Sequence, residues 1–316
     1  MHKKLCFTLL LGSASGLAIA QSSVAIGGKI DLGYGRYVDD ERAKLRDAAG
    51  SRLNFRGQED LGGGWIARFA LEHRFEPGTG LAANPDIFWQ GYSTVGIGHR
   101  QWGTVNFGRQ YTAAYSMVQN VIDPWGGDTV AQLRTGWRGG ISKTRVSNSI
   151  RYDLSVDKTR FAISTADSDR QGGLNGGPKR PFSIGANSRF GPLMLAIGWE
   201  DPGNENDHLF NVGGTYYFGP LTLALGYGSG STTRKDDFRS ALLAATYRQG
   251  ASEIKVGVVT GKTKKPDGSL RSETRKFGLG YFHHLSRRTF LYANLAHDSK
   301  ATKHKVGYDL GLQHNF

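Results

Sequence analysis

The chain has 316 residues, with 45 Gly, 9 Pro and 1 Cys, and its 40 Lys and Arg outnumber 27 Asp and Glu to give a formal charge of +13. This profile excludes collagen, a disulfide scaffold and a disordered chain, and a mean hydropathy of −0.41 without any run of about 18 apolar residues excludes a bundle of spanning helices. The positive excess favours anionic partners.

In chain order, residues 1–20 carry His2, Lys3 and Lys4, then an apolar run over residues 5–11, then small residues ending in Ala18-Ile19-Ala20. That is the pattern of a secretory signal peptide cleaved after Ala20. Cys6 lies in its apolar centre rather than at the cleavage point, so the mature chain, residues 21–316, is expected to carry no cysteine. Removing Lys3 and Lys4 takes the formal charge from +13 to +11. Export argues against nucleic acid as the anionic partner. No Pro- or Ser-rich linker divides the mature chain, which predicts one domain.

Strand periodicity begins at once: Ile26, Gly28, Ile30, Leu32 and Tyr34 alternate with Gly27, Lys29, Asp31, Gly33 and Gly35. After a charged loop over residues 39–50, Leu53 and Phe55 lie on one face against Arg52, Asn54, Arg56 and Gln58 on the other, up to the tight turn EDLGGG. The returning strand sets Trp65, Ala67, Phe69 and Leu71 against Ile66, Arg68, Ala70, Glu72 and Arg74. Continued along the chain, the pattern predicts about sixteen strands, near residues 22–37, 51–59, 65–75, 87–98, 103–111, 145–153, 159–167, 182–190, 193–200, 208–218, 221–230, 237–247, 252–261, 273–283, 289–298 and 303–316. The segments near 237–247 and 289–298 hold consecutive apolar residues, such as Leu242 to Ala245, so their lipid-facing side stays open.

Short turns such as EDLGGG, Gly191-Pro192 and Gly219-Pro220 are interleaved with longer polar loops. An even strand count with short turns on one rim and long loops on the other predicts an all-β fold, a transmembrane antiparallel β-barrel of the outer-membrane type. The last stretch, YDLGLQHNF, puts Tyr308, Leu310, Leu312, His314 and Phe316 on one side and Asp309, Gly311, Gln313 and Asn315 on the other. The terminal Phe316 suits the aromatic girdle of a barrel in lipid and marks the expected membrane-insertion end.

One connection is exceptional, the stretch over residues 112–144. A loop that long in a compact domain is usually functional, and in this fold class loops narrow the lumen. It carries Asp123, Asp128, Arg134, Arg138, Lys143, Trp125 and Trp137. Alternation aims Arg52, Arg56, Arg68, Arg74, Arg145 and Arg151 at the interior, with Glu72 as a local partner. A one-residue slip would turn Arg52 and Arg56 to lipid at about 2–4 kcal/mol each near the midplane, which is large against a net stability of about 5–15 kcal/mol. Asp123 and Asp128 are expected to face the arginines and set a transverse field.

The pieces SRLNFRGQEDLGGGWIARFALE, GTVNFGRQYTAAY, RVSNSIRY, HLSRRTFLYA and GLQHNF run from residue 51 to the end. Together they resemble the trimeric general porins of Gram-negative bacteria, the β-proteobacterial group in particular. The resemblance implies a sixteen-stranded barrel, a homotrimer in outer-membrane lipid, a third loop folded into each pore, and a constriction arginine cluster falling on Arg52, Arg109 and Arg145. Alternation alone puts Arg109 with Val105 and Phe107, towards lipid; a bulge at Gly108 would reverse it. The loop departs from the common family pattern by beginning YTAAYSMV, without the proline and acidic residue often found there.

The function so implied is passive diffusion of small hydrophilic solutes, with anion preference because rings of Arg and Lys favour anions. No cofactor or metal is called for. A barrel enzyme would need a Ser, His and acid arrangement, and none is evident. His283 and His284 are adjacent and point to opposite faces, and the GKT at 261–263 lacks the earlier Gly of a phosphate loop, where Val256 stands. A substrate-specific anion channel is the other alternative, with an aromatic acid stacked on Trp125 or Trp137; a structural barrel or adhesin is a third.

Overall fold

Residues 23–168 and 177–316 are described in a computed structural model, and the signal peptide expected at residues 1–20, with its cleavage point after Ala20, lies outside them. Period-two alternation dominates these residues because every second side chain meets a different solvent. The strands are β1 (Ser23–Arg36), β2 (Lys44–Arg46), β3 (Arg52–Gly62), β4 (Trp65–Arg74), β5 (Tyr92–His99), β6 (Gly103–Tyr111), β7 (Arg145–Val156), β8 (Thr159–Ala166), β9 (Phe182–Phe190), β10 (Leu193–Asp201), β11 (His208–Phe218), β12 (Leu221–Ser231), β13 (Asp237–Gln249), β14 (Ser252–Lys264), β15 (Leu270–His284), β16 (Thr289–Asp298) and β17 (Val306–Asn315). All join one sheet. β2 is a three-residue strand within the first long loop, which leaves a closed antiparallel barrel of sixteen staves.

Closure runs through β1. Its residues 23–29 pair with β3, and from Lys29 to Arg36 it pairs with β17. Gly28 and Phe316 exchange backbone hydrogen bonds of 3.1 Å in both directions, so the chain end seals the seam. A closed sheet leaves no free ladder edge in hydrocarbon, the condition under which strands span a membrane. No helix among the described residues is long and apolar enough to cross one.

Burial is inverted relative to a water-soluble sandwich. Outward residues such as Val95, Ile97, Phe107, Ile150, Leu195, Ile197 and Leu225 are apolar and exposed, whereas inward Asp31, Asn106, Asn211, Glu200 and Asp309 are buried. The two undecided segments resolve in the same way. Leu243 is 54 % exposed and faces out while Leu242 is 1 % exposed and faces in; Leu291 and Leu295 face out while Tyr292, Asn294 and Ala296 face in.

The apolar core is the third loop lying against the inner wall. Met117, Val118, Ile122, Trp125, Leu133 and Trp137 of the loop pack on Ala162, Ala196, Ala224, Leu242, Ala244, Val259, Phe282 and Tyr292. The loop folds as a π-helical turn, Tyr115–Gln119, then α1 (Asn120–Ile122) and α2 (Arg134–Arg138), which the strand reading of the sequence did not anticipate. Small wall residues make the close approach feasible: a Cβ on Gly278 would stand 2.5 Å from the Ala131 carbonyl oxygen.

Candidate functional site in the barrel lumen

The third loop covers the inside of the wall from β8 round to β17 and leaves the inner faces of β3, β4, β6 and β7 open to the lumen. Its entry is tied down by Thr112, which donates to Glu200 at 2.8 Å, and by Ala113 and Ala114, whose N–H groups donate to Ser164 and Ser183. Farther along, Gln119 donates to Asn211, Trp125 Nε1 to Asn294, the Val130 N–H to Asp309, and Lys255 and Lys276 to the carbonyls of Pro124 and Gln132. Backbone carbonyls that would otherwise be orphaned in the lumen thus receive cations from the wall.

On the open side, β3, β4 and β7 bring three guanidinium groups to one carboxylate. Glu72 Oε1 lies 3.0 Å from Arg74 Nε, 3.8 Å from Arg52 Nη1 and 4.0 Å from Arg145 Nη2, and the Glu72 side chain is 3 % exposed. The grouping follows from register, since Arg52 pairs directly with Arg74 across β3 and β4. Arg52 also donates to the carbonyls of Gly50 and Ala49, and Arg145 donates to the Tyr111 hydroxyl at 2.7 Å while lying 4.2 Å above its ring. Three cations against one carboxylate leave a positive excess held in fixed positions.

Arg109 joins this face through a bulge. The β6–β7 register shifts between Gly108 and Gln110, and Gly108 has φ +114°, a conformation that glycine adopts without strain. Arg109 donates to the Gln90 carbonyl and the Ser147 hydroxyl, each at 2.9 Å, and the charged groups acting on it are Arg145 and Arg74.

Other expected members are placed differently. Asp123 does not face the arginines. It is 3 % exposed and its carboxylate accepts the N–H groups of Trp125, Gly127, Leu133 and Arg134 at 3.0–3.1 Å, knotting the two arms of the loop together. Burial pushes its carboxyl above the usual range against the pull of those donors. The reason is local: a chain reversal within the loop presents several free N–H groups that only an anion satisfies at once. Asp128 does meet a wall cation, Lys29, at 3.1 Å, and Lys29 pairs in register with Arg52.

Arg56, Arg68 and Arg151 do not join the group around Glu72. They line a separate space nearer the short turns, where Arg68 donates to Asn106 at 2.8 Å and Arg151 closes on Asp153 at 2.6 Å and on the carbonyls of Tyr111 and Thr112. Trp137 and Trp125 are 0 % and 5 % exposed, so neither offers a face to an aromatic solute; they anchor the loop. The aromatics that do adjoin the arginines are tyrosines. Tyr111 stacks near Tyr115 with ring centres 4.6 Å apart, and Arg134 lies 4.8 Å above the Tyr115 ring. Lys29 and Tyr111 are site residues that the arginine pattern does not reveal, although alternation puts Lys29 with the polar set of β1.

A closed barrel with a lumen-filling loop and fixed cations on the opposite wall defines a channel protein of the bacterial outer membrane. The family model for the Gram-negative porins matches residues 8–303, and the chain belongs to that family. It is 29 % identical to an outer membrane porin protein of Bordetella pertussis over the whole of both chains. It is 30 % identical to outer membrane porin protein 32 of Delftia acidovorans, over 98 % of this chain and 92 % of that one. Among solved structures, the anion-selective porin from Comamonas acidovorans superposes with a TM-score of 0.75 at 22 % identity, covering 94 % of this chain and all of that one. The trimer form of OmpT from Vibrio cholerae gives 0.73 at 14 % identity, covering 93 % and 99 %. At such identities the structural likenesses speak for the fold.

Proposed function

We propose that this porin is an anion-preferring passive diffusion channel whose narrowest section lies between the third loop and Arg52, Arg74, Arg109 and Arg145. The observation that carries this reading is the set of three guanidinium groups within 4.0 Å of the single carboxylate of Glu72. Screening at physiological ionic strength acts over about 8 Å. A permeating ion held closer than that to the wall feels the uncompensated cations, so chloride and small organic anions gain over potassium. Asp128, paired with Lys29 beside Arg52, supplies the opposing charge across the section and moderates the preference. The solved relative described as anion-selective has the same fold, which agrees with this direction.

The working unit is a homotrimer in outer-membrane lipid, formed after the leader is removed behind Ala20. Solutes cross down their gradients without covalent chemistry, so no catalytic group or cofactor is assigned. The test is the reversal potential in a planar bilayer under a KCl gradient. Wild type is expected to favour chloride, and Arg52→Ala/Arg145→Ala to lose most of that preference while still conducting. Unchanged selectivity in the double variant would reject the assignment of these arginines.

A further inference from the structure

The lumen carries a second group of cations that the narrow section does not use. On the short-turn side of the third loop it holds a cavity of about 830 Å³ lined by Arg56, Arg68, Arg151, Arg160, Asn106 and Asp153. Arg56 and Arg68 each lie four residues towards the short turn from Arg52 and Glu72, a strand distance of about 13 Å. That exceeds the screening length of about 8 Å, so an anion there is held by its own neighbours and not by the arginines around Glu72.

Two of these neighbours are exposed to the lumen and have no protein partner among the described residues. The side chains of Arg56 and Arg160 make no hydrogen bond or ion pair among the described residues. Arg68 donates to the neutral Asn106 amide oxygen at 2.8 Å and lies in the field of Asp153, to which Asn106 itself donates. Arg151 is paired directly with Asp153, at 2.6 Å. The guanidinium forks of Arg56 and Arg160 therefore face this space without a carboxylate of their own, while Arg68 and Arg151 share the single charge of Asp153, and such forks match the oxygen pairs of a small oxyanion.

We propose that this cavity is a second anion station, in series with the narrow section, that takes doubly charged oxyanions of the phosphate type on Arg56, Arg68 and Arg160. The proposal rests on the channel reading above and deepens it. One deep well would trap a divalent anion, whereas conduction needs binding that is strong enough to admit an ion and distributed enough to release it. A second, wetter station supplies the release step towards the periplasmic rim.

The test is block of single-channel chloride current by inorganic phosphate added on the short-turn side at neutral pH. Saturable block is expected in wild type. In Arg56→Gln/Arg160→Gln the apparent dissociation constant should rise about tenfold, the equivalent of one charge-assisted hydrogen bond. Arg56→Lys/Arg160→Lys should recover part of the affinity. A matched loss of two outward-facing cations, Arg239→Gln/Lys264→Gln, should leave the block as in wild type. Equal block in wild type and Arg56→Gln/Arg160→Gln, or equal weakening by the outward pair, overturns the proposal. Should the double Gln variant fail to insert, the single variants Arg56→Gln and Arg160→Gln are read in its place, each carrying part of the loss, and wild-type block in both is overturning. Failure of the channel reading shows separately, as absent chloride preference in KCl before any phosphate is added.

Discussion

Removal of Glu72 is expected to act in opposite directions on stability and on selectivity. Its carboxylate sits among Arg52, Arg74 and Arg145 and is 3 % exposed, so it offsets repulsion among three cations held by three different strands. Removing one partner of a buried ion pair costs about 3–5 kcal/mol because the remaining charge is left unpaired. The arginines still reach lumen water, so Glu72→Gln is expected near the lower end, about 3 kcal/mol, read as a lower guanidinium chloride midpoint for barrel unfolding. The same change raises the positive excess at the narrow section, and the reversal potential is expected to move further towards chloride. Movement towards potassium would mean that the ion does not pass within the field of this group. Stability alone would not separate these cases, because any cavity or misfit in the wall also lowers a midpoint.

At the scale of the element, the third loop is a separately held unit. Its fastenings to the wall are side-chain and backbone hydrogen bonds plus the packing of Trp125, Leu133 and Trp137, while the staves are held by their own ladders. The two aspartates of the loop therefore predict different phenotypes. Asp123→Ala leaves four N–H donors without an acceptor, at about 1–3 kcal/mol for each that water does not reach. The loop is expected to loosen, with noisier current and passage of larger neutral polymers in an exclusion assay, while the barrel unfolds as before. Asp128→Ala removes a partly buried pair, with Lys29 13 % and Asp128 39 % exposed, so its cost lies between about 0–1 kcal/mol for a surface pair and about 3–5 kcal/mol for a buried one. It should raise chloride preference with the exclusion size unchanged. If the two variants behaved alike, the division between a structural and a field-setting carboxylate would be wrong.

For the whole molecule, what was legible in the sequence is what depends on two solvents. Lipid outside and water inside impose a period of two on every stave, so strand count, closure and the inward aim of Arg52, Arg68 and Arg145 can be read from alternation. Leu242 and Leu243 could not be assigned, because the third loop makes part of the inner wall apolar as well, and Leu242 faces that loop rather than water. Asp123 was misplaced for a related reason: which acid ties the loop and which faces the pore depends on a fold within the loop that has no period. The Gly108 bulge needed the family pattern of GRQ, since alternation alone sends Arg109 to lipid. The same separation between local and diffuse charge governs how selectivity depends on salt. The chain is basic overall, with a formal charge of +13, and two origins of anion preference are conceivable: the cations of the outer rim acting at a distance, or the fixed group around Glu72. Screening shortens from about 10 Å at 0.1 M to about 3 Å at 1 M. Rim charges act through bulk electrolyte and are screened out by 1 M, whereas Arg52, Arg74 and Arg145, in the proposed role, would act within contact distance of the ion. Chloride preference is expected to fall between 0.1 and 1 M KCl and to level off above unity, and in Arg52→Ala/Arg145→Ala the residual preference at 1 M is expected to vanish. Reversal potentials at matched gradient ratios across that range decide it: a wild-type preference that disappears at 1 M assigns selectivity to the rim and removes it from the narrow section.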